Sequence, residues 1–222
     1  MRRGVDASAP VDEALAWLTQ DLQLSDDELD SLGDAISYPT RSLTRTAIVL
    51  AKRLVETADG EGDRAAFLLS LGARYSELGE WDEASGHTQV AVATLRGLVE
   101  RDRLTYLPDL ASAVGNLATC LSQIGEHHRA LSSAYEAVAL HRELVDIDRD
   151  RYLSALARAL VTLSASLSRN ERATAAAGAA GESVAIYREL VAVHPEAYQT
   201  ELAAAHHNWR VCRDGLATVV SA

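Results

Sequence analysis

Tyr106-Leu107-Pro108-Asp109-Leu110-Ala111 returns as Tyr152-Leu153-Ser154-Ala155-Leu156-Ala157, and once more as Tyr198-Gln199-Thr200-Glu201-Leu202-Ala203. Each copy lies about 46 residues after the last. The same offset joins Leu117 and Leu121 to Leu163 and Leu167, Ala84 to Ala130 and Ala176, and Gly79 to Gly125. A second signature closes each unit: Arg53-Leu54-Val55-Glu56, Gly97-Leu98-Val99-Glu100, Glu143-Leu144-Val145-Asp146 and Glu189-Leu190-Val191-Ala192. Chance does not place so many residues at one period. The chain is an internal repeat, and a period in this range signals stacked supersecondary units.

The apolar spacing inside a unit is helical. Leu107, Leu110, Val114, Leu117 and Leu121 form one stripe. Ala130, Ala134, Ala137, Val138, His141, Leu144 and Val145 form another. Both follow the i, i+3, i+4 rule of an amphipathic helix. Between them stands Ile124-Gly125-Glu126-His127, where Gly125 suits the left-handed residue that ends a helix. Each unit therefore reads as two antiparallel helices and a tight turn. The expected helices are 11–22, 26–36, 40–58, 63–78, 81–101, 106–123, 127–147, 152–169, 173–193 and 197–218. Pro10, Pro39 and Pro108 are placed at helix starts and Pro195 in a link between units. Ser25 with Glu28 reads as a capping box.

The stretch Leu71-Gly72-Ala73-Arg74-Tyr75-Ser76-Glu77-Leu78-Gly79-Glu80-Trp81-Asp82-Glu83-Ala84 resembles the first helix and turn of a tetratricopeptide repeat (TPR). It carries the Leu-Gly pair, the Tyr three residues on and the Ala that opens the second helix. The next unit, with Asn116-Leu117, Leu121, Gly125, Ala130-Leu131 and Glu136-Ala137-Val138, is similar to the long-helix TPRs common in bacteria and to those of kinesin light chains. The resemblance covers about 40–218. It implies an all-α fold, a right-handed superhelical solenoid of antiparallel helix pairs. Residues 11–39 are expected to form an N-terminal helical cap, 1–10 a flexible terminus and 219–222 a tail. The last helix is expected to lack a partner and to solvate the stack. Two features depart from the family. The period exceeds the usual ~34 residues. In the third turn, Arg169-Asn170-Glu171-Arg172, Glu171 stands where glycine is expected. The helix after that turn, from Ala173 to Gly181, is rich in small residues.

Composition narrows the function. Of 222 residues 48% are hydrophobic but only 5% aromatic, so alanine and leucine must fill the core. The formal net charge of −11 is the wrong sign for a general nucleic-acid binder. Lys52 is the single lysine. No apolar run is long enough to span a bilayer, and Met1-Arg2-Arg3-Gly4-Val5-Asp6 is followed by no apolar core of a secretory signal. A cytoplasmic location and no membrane partner are the expectation. No phosphate loop, zinc-protease, C-x-x-C or nucleophile-elbow motif occurs, so the chain is not expected to be an enzyme or to need a cofactor. Adjacent helical residues point about 100° apart, so His127-His128 and His206-His207 are not expected to chelate a metal. Cys120 and Cys212 occupy equal repeat positions two units apart and are read as free, small core residues.

The resemblance implies a concave groove whose first-helix positions face a ligand. One of these often carries Asn in the family, and by alignment it falls on Ser70, Asn116, Thr162 and Asn208. Neighbouring positions bring Thr119, Gln123, Arg158 and Arg169, and His207 adjoins Asn208. These residues are the candidate partner-binding groove, with a solvated surface or internal caps as the bland alternative. The leading functional expectation is an interaction module or adaptor that holds a peptide or protein segment. A ligand-responsive regulator is the second expectation, an enzyme on a helical scaffold the third. Self-association through exposed helix ends stands beside them as a further possibility.

Overall fold

The computed structural model describes Ala16 and residues 44–220. Among them every regular element is a helix: α1 (Thr44–Thr57), α2 (Glu61–Leu78), α3 (Trp81–Arg101), α4 (Arg103–Gln123), α5 (His127–Ile147), α6 (Arg149–Arg169), α7 (Ala173–Val193) and α8 (Pro195–Val220). Apart from Ala16, the expected cap at 11–39, with Pro10, Pro39 and the Ser25–Glu28 box, lies outside the described residues. The described helices form two compact units, one ending at Arg101 and the other starting at Asp102. In the first, α1 packs on α2 and α2 on α3. In the second, each of α4 to α8 packs on the next, and α6 also touches both α4 and α8. First helices of successive pairs are thus brought side by side. The fold is all-α and built from antiparallel helix pairs.

The turns inside the pairs share one geometry. Gly79 and Gly125 have φ of 78° and 86°, and Glu171 takes φ 59° at the same repeat position. In each turn the next amide reaches back to close the helix: Glu80 to the Tyr75 carbonyl, Glu126 to Leu121, Arg172 to Leu167, at 2.9–3.0 Å. This is the Schellman closure that glycine normally supplies. A side chain in the left-handed region costs about 1–2 kcal/mol, so the third turn is formed at a local penalty. Asn170 beside it donates to the carbonyls of Ser166 and His127, at 2.8 and 3.1 Å, tying the turn to the start of α5.

The links between pairs are shorter than the sequence suggests. Asp148 alone separates α5 from α6, and His194 alone separates α7 from α8. The Asp148 amide donates to Leu144, ending α5, while its carboxylate accepts from the Arg151 amide, starting α6. Asp102 caps α4 through Thr105 in the same way. An Asp at this position supplies the acceptor that the first amides of a helix lack. First helices therefore begin two or three residues before the expected starts, and Tyr106, Tyr152 and Tyr198 lie inside them. Pro108 sits within α4, not at its start, and Pro195 is the first residue of α8, not part of a link. Pro195 loses nothing there, because the first helical amide has no partner in any case.

Small residues set how close the helices come. Ala84, Ala130 and Ala176 are all at most 1% exposed. Opposite Ala84, a Cβ on Gly72 would lie 3.2 Å from the Ala84 carbonyl oxygen and 2.6 Å from Thr88 Oγ1. The repeat positions of Gly72 and Thr88 hold Ala118 and Ala134 in the next pair, and Ser164 and Ala180 in the one after. All six are buried. Between the first two of these pairs, the volume missing at Gly72 is supplied by Thr88. The leucine stripe fills the remainder: Leu107, Leu121, Leu160 and Leu167 are 1% exposed or less.

Candidate functional site

The polar residues singled out in the first helices all lie outside the core stripe, yet they do not share one environment. Asn116 and Thr119 on α4 and Arg158 and Thr162 on α6 line a single cavity of about 400 Å³. Ser112, Gly115, Ala155 and Ala159 complete its walls. The two helices belong to successive pairs, so repeat stacking creates the site. Gly115 and Ala155 leave the space open. A Cβ on Gly115 would make only ordinary contact, 3.8 Å from the Ala137 Cβ.

The floor is His141 of α5. His141 is 5% exposed, and its Nδ1 is sealed without a hydrogen-bond partner. Burial, with a smaller push from the Arg158 charge, lowers its pKa from 6.5 to about 4. The imidazole is neutral at pH 7. Sequence reasoning placed His141 on the apolar stripe, and it is indeed buried there. It did not identify it as a site residue. The available signal was its repeat position, held by Leu95 in one pair and Tyr187 in another. An ionisable ring in a leucine slot is unusual, because burying it forfeits hydration.

Many of the guanidinium groups have carboxylate partners. Arg103 pairs with Glu143 at 2.6 Å, Arg142 with Glu182 at 2.9 Å, Arg149 with Glu189 at 2.8 Å, and Arg101 with Glu61. Arg158 has no such partner among the described residues. It is exposed, and no carboxylate lines its cavity. The hydroxyls of Thr119 and Thr162 donate to the backbone carbonyls of Gly115 and Arg158 one turn back, at 3.3 and 3.4 Å, leaving their lone pairs outward. The Asn116 side chain is exposed and engaged in no bond among the described residues. It can both donate and accept.

Asn208 occupies the equivalent position but a different setting. Its Nδ2 donates to Ser164 Oγ at 2.7 Å, joining α8 to α6, and Cys212 lies against its Oδ1. It is half-buried. Ser164 makes the difference: the same offset counted back from Thr162 falls on Ala118, which has no hydroxyl. Gln123, Arg169 and His207 are exposed and line no part of the His141 cavity. Cys120 and Cys212 are buried, and neither forms a disulfide.

A second cleft of about 510 Å³ opens between α5 and α7, with Leu160, Leu163 and Leu167 as its floor. The small residues Ala175 and Ala179 leave it unfilled, and Arg142 and Glu182 stand at its edge. Among the described residues no three His, Cys, Asp or Glu side chains converge to hold a metal, and no helix is long and apolar enough to cross a membrane.

No protein-family model and no curated protein matches the sequence. Solved structures do match the fold. BtubC (BKLC) from P. vanneervenii aligns with a TM-score of 0.63 at 15% identity, covering 97% of this chain and 85% of that one. The TPR-like repeats of a putative kinesin light chain from Podosopora anserina align at 0.57 and 17% identity, covering 98% and 96%. A single-substitution variant of those same repeats gives the same values. At such identities the likeness concerns architecture, and it agrees with the repeat read from the sequence: this chain has a TPR-like helical-repeat fold.

Proposed function

We propose that this helical-repeat scaffold is an interaction module that holds an extended peptide or protein segment along α4 and α6. One observation carries the reading: Asn116, Thr119, Arg158 and Thr162, contributed by two successive repeats, meet around one open cavity. Their outward polar capacity is not consumed by the fold. An extended backbone presents unpaired amides and carbonyls at intervals that an Asn and two Thr can meet. The Asn208 position belongs to the stack, not to the ligand. We place the protein in the cytoplasm, acting as a non-catalytic adaptor.

The test is co-purification of a partner from a lysate, followed by titration against wild type, Asn116→Ala and Arg158→Ala. Each substitution is expected to weaken binding about 5- to 150-fold, the loss of one hydrogen bond or charge in a partly buried contact. Thermal stability should be unchanged, because both side chains are exposed. Undiminished affinity in both variants would move the binding surface elsewhere. The cavity volume also falls within the range of small-molecule sites. A regulator that responds to a small ligand is thus the second reading, and a thermal-shift screen that raises stability without a protein partner would favour it.

A further inference from the structure

We propose that the outer face of α8 docks a second copy of this chain, taking the acidic stretch Asp26-Asp27-Glu28-Leu29-Asp30 of that copy. None of the residues that form this face lines the cavity between α4 and α6, so the proposal goes beyond the groove reading and is tested apart from it. The repeat defines the face. In α4 and α6, one stripe of the first helix is covered by the second helix of the same pair. Leu107 and Ala111 cluster with Leu144 of α5, and the Ala157 carbonyl accepts from the Ser183 hydroxyl of α7 at 2.9 Å. Further along the stripe, Val114, Ala118 and Leu121 are at most 1% exposed, and so are their equivalents Leu160, Ser164 and Leu167. On α8 these three positions carry His206, Arg210 and Arg213, and Gln199 stands where α4 has Leu107. His206 is half-buried, while Gln199 and both arginines are exposed.

Polar residues alone would suit the end of a stack, where a repeat must meet water. This stripe is more selective than that. In a chain with 32 acidic and 21 basic residues, two arginines and a histidine without a carboxylate among them run against the composition. Arg213 lies over the Trp209 ring, 5.1 Å from its centre, and His206 meets the same ring edge-on at 6.4 Å. The carboxylate beside Arg213 is that of its neighbour Asp214, at 3.5 Å, and among the described residues none pairs with Arg210. The complementary charge is in the chain itself. Residues 4–40 hold nine acids and no Lys, Arg or His, and four of the nine fall within 26–30. Leu24 and Leu29 accompany them, so one short stretch offers carboxylates to the arginines and apolar side chains to the Trp209 ring. Complementary potentials decide which surfaces meet and in what register. A contact between two unlike surfaces either closes reciprocally into a dimer or runs on head to tail.

Sedimentation velocity on the full chain is the test. Wild type is expected to associate in the micromolar range, and to do so about tenfold more weakly at about 500 mM salt than at about 50 mM, because exposed charges are screened. Two variants then divide the contact. Arg210→Gln with Arg213→Gln keeps the acidic stretch and loses the α8 charges. Asp26→Asn, Asp27→Asn, Glu28→Gln and Asp30→Asn together keep the α8 face and lose the stretch. Each variant alone should sediment as a monomer with the melting temperature of wild type. Mixed, they should form a one-to-one complex, because each supplies the surface that the other lacks. Arg210→Lys with Arg213→Lys, which preserves the charge, should associate within a few-fold of wild type. A wild type that stays monomeric at low salt overturns the proposal, whatever else binds α8. Association that survives in either neutralised variant puts the contact between copies elsewhere and overturns it too. A mixture that stays monomeric shows that the stretch and the α8 face do not meet. None of these results moves the groove reading, which rests on its own partner titration.

Discussion

Gly72→Ala should destabilise the first unit, although alanine is the better helix former. The added Cβ would lie 2.6 Å from Thr88 Oγ1 and 3.2 Å from the Ala84 carbonyl oxygen. Neither neighbour can step aside freely. Thr88 is 2% exposed, and its hydroxyl donates to that same Ala84 carbonyl at 2.7 Å. Ala84 is fully buried, and its carbonyl is backbone. One methyl too many in a packed interface costs about 1–3 kcal/mol. Replacing glycine inside a helix returns about 0.5–1 kcal/mol. The net loss is about 1–2 kcal/mol.

A second substitution makes this a test of mechanism. Gly72→Ala with Thr88→Ala recreates the Ala118–Ala134 pair of the next repeat. Thr88→Ala alone should cost about 1 kcal/mol, by opening a small void. If the two positions trade volume, the double variant should be more stable than the sum of the singles predicts, by about 1–2 kcal/mol of coupling. Urea unfolding read by circular dichroism measures this as a shift in midpoint at constant slope. A Gly72→Ala chain as stable as wild type, or strictly additive losses, would refute the close approach.

Other consequences are as direct. The unfolded His141 ring titrates near pH 6.5 and the folded one near 4, so only the unfolded chain takes up this proton between those values. Its contribution is complete above about pH 6.5 and falls by at most about 3 kcal/mol by pH 4; His141→Leu should flatten that part of the urea-midpoint profile. Glu171→Gly should raise stability by about 1 kcal/mol or less, by relieving the left-handed φ of 59°, and an unchanged or lower midpoint would show that Glu171 is held there without strain. Asn208→Ala should cost about 1 kcal/mol by breaking the bond to Ser164, whereas Asn116→Ala should cost nothing measurable; equal effects on the melting temperature would mean that the two positions share one role.

The repeat made the helices legible, because one period carries both the leucine stripe and the turn glycine. Leu107, Leu110, Val114, Leu117 and Leu121 are all buried as their spacing implies. Helix starts were less legible. The recurring tyrosines do not mark the starts: Tyr152 packs against the core, while the capping is done four residues earlier. Asp102 and Asp148 share the same period and carry the capping chemistry openly. One residue suffices between two helices when its amide ends the first helix and its carboxylate starts the second.

The site divides in a more instructive way. Stacking brings equal positions of successive repeats together, so the meeting of Asn116 with Thr162 follows from the period alone. What an equal position does depends on what faces it, and that is not periodic. Thr162 has alanine where Asn208 has Ser164, and its hydroxyl bonds within its own helix; Asn208 meets Ser164 and is captured. His141 shows the same dependence from the other side. Its stripe marks it as core, and burial bears that out, but Gly115 and Ala155 thin the layer above it until the ring becomes a floor. A helical stripe specifies which face turns inward. It does not specify how much material lies over that face, and in a stack of alanine-rich helices a few missing side chains decide where the core ends and a binding surface begins.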